Sequence, residues 1–158
     1  MPKKYGLLSD LQLLALYYKS RGYTLREAGR ILNTSHQNVA VAYRRALRNI
    51  ELAEKTLLYY RLATAKLRII VPENTHLADI PRLIIERCDA EGIKLRADVT
   101  LIFKMIRFYM RNCVSGNIIV KPLMVLVMSD GSIWIYPYDE INKEYMEVKQ
   151  LLGNEDSA

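Results

Sequence analysis

The sequence predicts an α+β chain, with an all-helical N-terminal domain at residues 1–62 followed by a small α/β sandwich at residues 66–152. Three observations carry that expectation. Capped segments of helical periodicity fill the first part, β-rich runs alternate with helical ones in the second, and charge divides the same way. Residues 1–68 hold 13 Lys and Arg against 4 Asp and Glu, whereas residues 69–158 hold 10 against 13, so balances of +9 and −3 make up the net +6. A basic part joined to a mildly acidic one points to two tasks, the first of them facing a polyanion.

The first helix is expected to begin after Ser9, an N-cap residue, and to run to Arg21 ahead of Gly22. Leu11, Leu14, Ala15 and Tyr18 follow one buried face. Leu13 and Tyr17 form a second apolar pair, which either widens that stripe or meets the second domain or a partner subunit. The second helix opens at Thr24-Leu25-Arg26-Glu27, where Thr24 can accept from the amide of Glu27 while the Glu27 carboxylate reaches back to the amide of Thr24. Leu25, Ala28, Ile31 and Leu32 make its inward face. Gly29 costs about 1 kcal/mol relative to Ala inside a helix, and close approach of another backbone is the reason to keep it. Asn33 tolerates the left-handed conformation a helix stop requires, and Ser35 caps a third helix almost at once. Two helices joined by so short a turn form a helix-turn-helix unit.

In the third helix, Val39, Ala42, Ala46, Ile50, Ala53 and Leu57 mark one apolar face, and Tyr59 and Tyr60 close it as packing residues. The other side carries Gln37, Val41, Arg44 and Arg48, flanked by His36, Asn38, Ala40 and Arg45. Small residues at 40 and 41 let the helix sit close to a surface, and amide and guanidinium groups supply the donors that major-groove base edges accept. Gln37, Val41, Arg44 and Arg45 are expected to face bases, with His36 and Arg48 near phosphates. Lys3, Lys4, Arg21, Arg26 and Arg30 lie around the same unit as further phosphate partners. No second metal ligand stands at i+3 or i+4 from His36, so it reads as a surface contact.

In the second part, Leu67–Val71 reads as a strand ended by Pro72. Asp79 is expected to cap a helix with Pro81 in its first turn and Gly92 at its end, followed by a short strand at Ile93–Arg96. Asp98 caps a further helix through about Asn112, with Leu101, Ile102, Met105, Ile106 and Tyr109 inward. Two β-rich runs, Ile118–Met128 and Ile133–Tyr138, flank Ser129-Asp130-Gly131-Ser132, a hairpin signal. Asp139–Leu152 is read as a final helix and Asn154–Ala158 as a frayed tail. The order is β-α-β-α-β-β-α. On the hairpin, Trp134 and Tyr136 alternate as one sheet face requires, and core or dimer packing suits them better than ligand stacking.

The sequence offers little to an enzyme. The histidine of the second part, His76, sits in a loop with no Ser or Cys motif around it, and no phosphate loop, paired metal ligands or dinucleotide fingerprint occurs. Neither a cofactor nor a metal is expected. Of the 158 residues 51% are apolar and 25% charged, a globular balance, and no apolar run approaches the roughly 20 residues of a membrane span. Met1-Pro2-Lys3-Lys4 shows no secretory signal, and Cys88 and Cys113 read as buried free thiols. A cytoplasmic protein without membrane association is expected.

The run from Leu8 to Arg61 resembles the helix-turn-helix of archaeal Tfx-type transcriptional regulators, themselves similar to region four of bacterial sigma factors. The residues that carry this are Thr24, Glu27-Ala28-Gly29-Arg30-Ile31-Leu32, Thr34-Ser35, Asn38-Val39, Arg45-Ala46 and Asn49 through Leu57. Asp79-Ile80-Pro81-Arg82-Leu83-Ile84 and Ala90-Glu91-Gly92-Ile93-Lys94 resemble the opening of the same family's second domain, so the resemblance covers residues 8–98. It implies sequence-specific binding of double-stranded DNA in transcription control. Asn33 stands where a Gly is usual and Gly29 where an Ala is usual, while His36-Gln37 and Ala40-Val41 are peculiar to this chain. The expected partners are double-stranded DNA and a second copy of the chain as a homodimer, with a small-molecule effector or a subunit of the transcription machinery as further partners. A different class of function fits the same basic bundle: an interaction adaptor of the transcription machinery that binds an acidic partner.

Overall fold

A computed structural model describes residues 2–153. The α+β class is observed, and the described residues divide into two compact units, one up to Leu57 and the other from Leu58 onward. The first unit holds α1 (Asp10–Ser20), α2 (Leu25–Ile31) and most of α3 (His36–Thr64). Its core is small: Ala15, Ala28, Val39 and Ala42, with Leu11, Tyr18, Leu25, Leu32 and Tyr43 packed around them. Short side chains at the centre let three helices approach closely.

Helical periodicity overstates the buried face of these helices. Leu14 is 39% exposed and Ile31 50%, and Leu13 and Tyr17 also lie outside the core. A helix in a three-helix unit meets its neighbours along a narrow stripe, so apolar residues at the margin of the periodic face stay in water. On α3 burial holds at Val39, Ala42 and Ala46, weakens to half-buried at Ile50 and Ala53, and fails at Leu57.

The second unit is built on an antiparallel sheet of order β1-β4-β5, formed by β1 (Leu67–Val71), β4 (Leu123–Val127) and β5 (Ile133–Pro137). Between β1 and β4 come α4 (Asp79–Ala90), α5 (Val99–Tyr109), a 3-10 turn at Arg111–Cys113 and a small ribbon of β2 (Val114–Ser115) and β3 (Ile118–Ile119). The last helix is α6 (Tyr138–Leu152). Leu67, Ile69, Val71, Leu123, Val125, Val127, Ile133 and Ile135 face one way, onto Ile80, Ile84 and Cys88 of α4 and Ile102 and Ile106 of α5. Met124, Leu126 and Met128 face the other way, onto Leu62 and onto Ile141, Tyr145 and Val148 of α6. Covered on both faces, β4 reads Leu-Met-Val-Leu-Val with every residue buried, the continuous apolar run such a strand requires.

Four local expectations are corrected. Residues 93–96 form no strand; they run as coil beside the hairpin turn, where the Arg96 amide donates to the Gly131 carbonyl at 2.9 Å. The run Ile118–Met128 is two strands, because Lys121-Pro122 interrupts it and Pro122 has no amide to donate. Asp79 is the first residue of α4 and not its cap; Ala78 precedes the helix without a side-chain bond, and its amide donates to Nδ1 of His76 at 3.1 Å. Finally, α5 ends at Tyr109, with Leu101 46% and Tyr109 77% exposed, so its inward face is Ile102 and Ile106 with Met105 half-buried. The proposed frayed tail, Asn154–Ala158, lies outside the described residues.

Within the second unit the end of α3 is tied to α6. The half-buried Tyr59 donates its hydroxyl to Glu147, and that hydrogen bond, with burial and the negative charge, pushes its phenol pKa up to about 12 from 10.0. Only the neutral phenol can donate. This stabilisation is therefore fully present below pH 10 and is lost as pH rises through about 12. Tyr59→Phe is expected to flatten the alkaline fall in stability across that window, read as urea midpoints against pH. Arg68 closes the same helix end, its Nε and Nη2 donating to the Leu62 carbonyl at 2.8 and 2.6 Å.

Candidate nucleic-acid interface

The turn between α2 and α3 is built by a few local contacts. Thr24 and Glu27 cap α2 reciprocally, with bonds of 3.1 Å to Thr24 Oγ1 and 3.0 Å to Glu27 Oε2. Leu32 ends the helix, and Asn33 adopts φ +54. The Thr34 amide then returns to the Gly29 carbonyl at 2.9 Å. A Cβ on Gly29 would lie 2.9 Å from the Thr34 carbonyl oxygen and 3.2 Å from the His36 amide nitrogen. The missing side chain is what lets the start of α3 lie against α2. Ser35 caps α3 by accepting from the Asn38 amide at 3.1 Å, and Asn38 Nδ2 donates to Thr34 Oγ1 at the same distance. Asn38 therefore has a structural partner within the turn.

The capped end of α3 presents His36, Gln37, Asn38, Val41, Arg44, Arg45 and Arg48 as exposed residues, with Ala40 half-buried. Arg26 and Arg30 on α2 are exposed as well. Among the described residues, no carboxylate pairs with Arg26, Arg30, Arg44, Arg45 or Arg48. A folded protein that only needed solvated charge would gain from interspersed acids; this face of α3 has none between His36 and Ile50. Three other cations of the unit lean on aromatic rings, Arg21 over Tyr17 at 5.1 Å, Lys3 over Tyr5 at 5.2 Å and Lys19 over Tyr43 at 5.8 Å. Lys19 was not singled out from the sequence, and its placement near α3 follows from tertiary packing of Tyr43 alone.

Comparison with known proteins bears on the second unit more than the first. The family model for the C-terminal domain of the DNA-binding protein TFX matches residues 53–135, just over half of the chain. This chain belongs to the Tfx family. Similarity extends beyond that domain: the proteins named DNA-binding protein Tfx from Methanothermobacter marburgensis and Methanothermobacter thermautotrophicus are each 29% identical over 134 residues, 84% of this chain and 96% of theirs. A Methanococcus vannielii protein named for transcriptional regulation is 26% identical over 135 residues, 85% of this chain and 95% of its own length. The family match carries on to residue 135, beyond the point at which the sequence resemblance to Tfx regulators stopped, and so takes in β4 and nearly all the hairpin.

Two features of this Tfx chain were not legible in its sequence. Trp134 does not enter the core: it is 40% exposed, with the Arg61 guanidinium 3.5 Å from its ring centroid. The same guanidinium donates to the Tyr136 hydroxyl at 2.8 Å. Beside these rings a cavity of about 690 Å³ opens, lined by residues of α5, the 3-10 turn, β5 and the start of α6. Only folding brings those segments together. Among the described residues, no group of His, Cys, Asp and Glu is arranged to hold a metal ion, and no helix is long and apolar enough to cross a membrane.

Proposed function

We propose that this chain is a DNA-binding transcriptional regulator that reads the major groove of double-stranded DNA with the N-terminal part of α3. The observation that carries this reading is the exposed side of α3 between His36 and Arg48, whose arginines have no acidic partner among the described residues. The names of the Tfx relatives support it. In this reading Gln37, Val41, Arg44 and Arg45 meet base edges, where a guanidinium can donate twice to guanine O6 and N7 and Val41 can contact a thymine methyl. His36 and Arg48 lie at phosphates, and Lys3, Lys4, Arg21, Arg26 and Arg30 fix the register on the backbone without reading sequence. Asn38 holds the turn through Thr34 and serves the helix that does the reading.

One helix reads only a few base pairs, so a two-fold pair of chains on half-sites about 34 Å apart would combine two such free energies. Selection from random duplexes tests both parts of the proposal. An inverted repeat is expected to be enriched by the intact protein. A single enriched half-site would remove the dimer from the reading, and no enriched motif would favour the adaptor that binds an acidic protein.

A further inference from the structure

We propose that the open edge of β1 takes up an extended acidic segment of a partner protein as a further strand. Among the described residues β1 pairs with β4 alone, so its other side is an unpaired edge. A groove of about 310 Å³ runs along that side, within the second unit. Its lining takes Leu67 from one face of the strand and Arg68 and Ile70 from the other, so it straddles the edge. Ile70 is 44% exposed there, an apolar side chain that an added strand would cover. Main-chain hydrogen bonds along such an edge supply affinity, and the side chains beside it choose the partner.

Those side chains are cations. Arg87 comes from α4, which packs on one face of the sheet, and Lys149 from α6 on the other, while Lys66 immediately precedes the strand. No carboxylate lines the groove, and among the described residues none pairs with Lys66, Arg87 or Lys149. Arg87 and Lys149 are half-buried, so each has lost part of its hydration without gaining an acid. The Lys149 ammonium lies 6.0 Å from the Tyr145 ring, at the outer limit of a cation–π contact, and keeps its charge. Arg68 is engaged by the Leu62 carbonyl, which leaves three cations for a partner. An adjoining depression shares Lys66 and adds Glu91 and Lys94, whose charges cancel. A second copy of β1 would bring the same cations to the seam, and like charges facing each other disfavour it. An acidic strand meets the opposite balance: its side chains alternate between faces, so carboxylates reach Arg87 on one side and Lys149 on the other.

The peptide acetyl-Glu-Glu-Val-Val-Glu-Glu-amide carries carboxylates on both faces when extended, and acetyl-Lys-Lys-Val-Val-Lys-Lys-amide is its counterpart of opposite charge. In 1H–15N spectra of the intact chain the acidic peptide is expected to move the amide resonances of residues 66–71 saturably. It should also slow hydrogen exchange at the β1 amides that point away from β4, while the basic peptide does neither. The double substitution Arg87→Gln with Lys149→Gln is expected to weaken the acidic peptide by about tenfold or more, with the remaining resonances in place. Unresponsive β1 amides would overturn the proposal, as would equal binding of the basic peptide or a double variant that binds the acidic one unchanged. Shifts without slowed exchange would reduce the contact to charge and exclude an added strand. Random-sequence duplex DNA that displaces the peptide from β1 would assign the groove to nucleic acid instead.

Discussion

Gly131→Ala is expected to destabilise the second unit by about 3 kcal/mol or more, the largest effect of an added Cβ among the described glycines. Gly131 has φ +83, where an L side chain is already strained. The added Cβ would stand 1.9 Å from the Lys94 carbonyl oxygen and 3.2 Å from the Arg96 amide nitrogen. Both are main-chain atoms, so no rotamer change relieves the overlap. Either the hairpin turn opens or the 94–96 segment moves, and each route breaks the 2.9 Å bond from the Arg96 amide to Gly131. Gly116→Ala supplies the comparison. Its φ is +61, but nothing lies within 4 Å of the added Cβ, so only the backbone strain of about 1 kcal/mol remains. Urea midpoints of the two variants measure the difference. Equal losses would show that the contact between the turn and residues 94–96 is not part of the fold.

Arg44→Ala is expected to cost about 1–3 kcal/mol of DNA affinity, or roughly 5- to 150-fold, and to relax the preference at one base pair of the selected site. Arg26→Ala should behave differently. Loss of a phosphate contact weakens binding to all sequences alike and reduces the dependence of log K on log salt by about one. Fluorescence anisotropy on the selected duplex and on a single-position mismatch series, repeated at several salt concentrations, separates the two behaviours. If Arg44→Ala bound every duplex as the parent chain does, the assignment of base reading to that side of α3 would be wrong.

What the sequence made legible was chemistry that acts over a few residues. Ser9, Thr24, Ser35 and Asp98 cap helices as their side chains suggest, Asn33 takes the left-handed turn, and Gly29 meets another backbone. Each depends on neighbours no more than seven positions away. Burial was less legible, because periodicity gives the direction of a face and not the width its partners cover; Leu14, Ile31 and Leu101 lie at such margins. The extended run at 93–96 and the break at Lys121-Pro122 show a second limit: a β-rich composition does not say whether a partner strand is present to pair with it. The exposure of His36, Gln37, Arg44, Arg45 and Arg48 was legible because these residues share one helix. The cavity was not, since α5, β5 and α6 meet only after the sheet has formed.

The pairing of β1 with β4 orders events during synthesis. Val71 must wait for Leu123 and Leu67 for Val127, whereas the first unit is closed by contacts among its own 57 residues. On the ribosome, α1, α2 and the start of α3 can therefore assemble while Leu67, Ile69 and Val71 have emerged without neighbours. That apolar segment needs shielding in the nascent chain, and pairing with residues 123–127 ends its exposure.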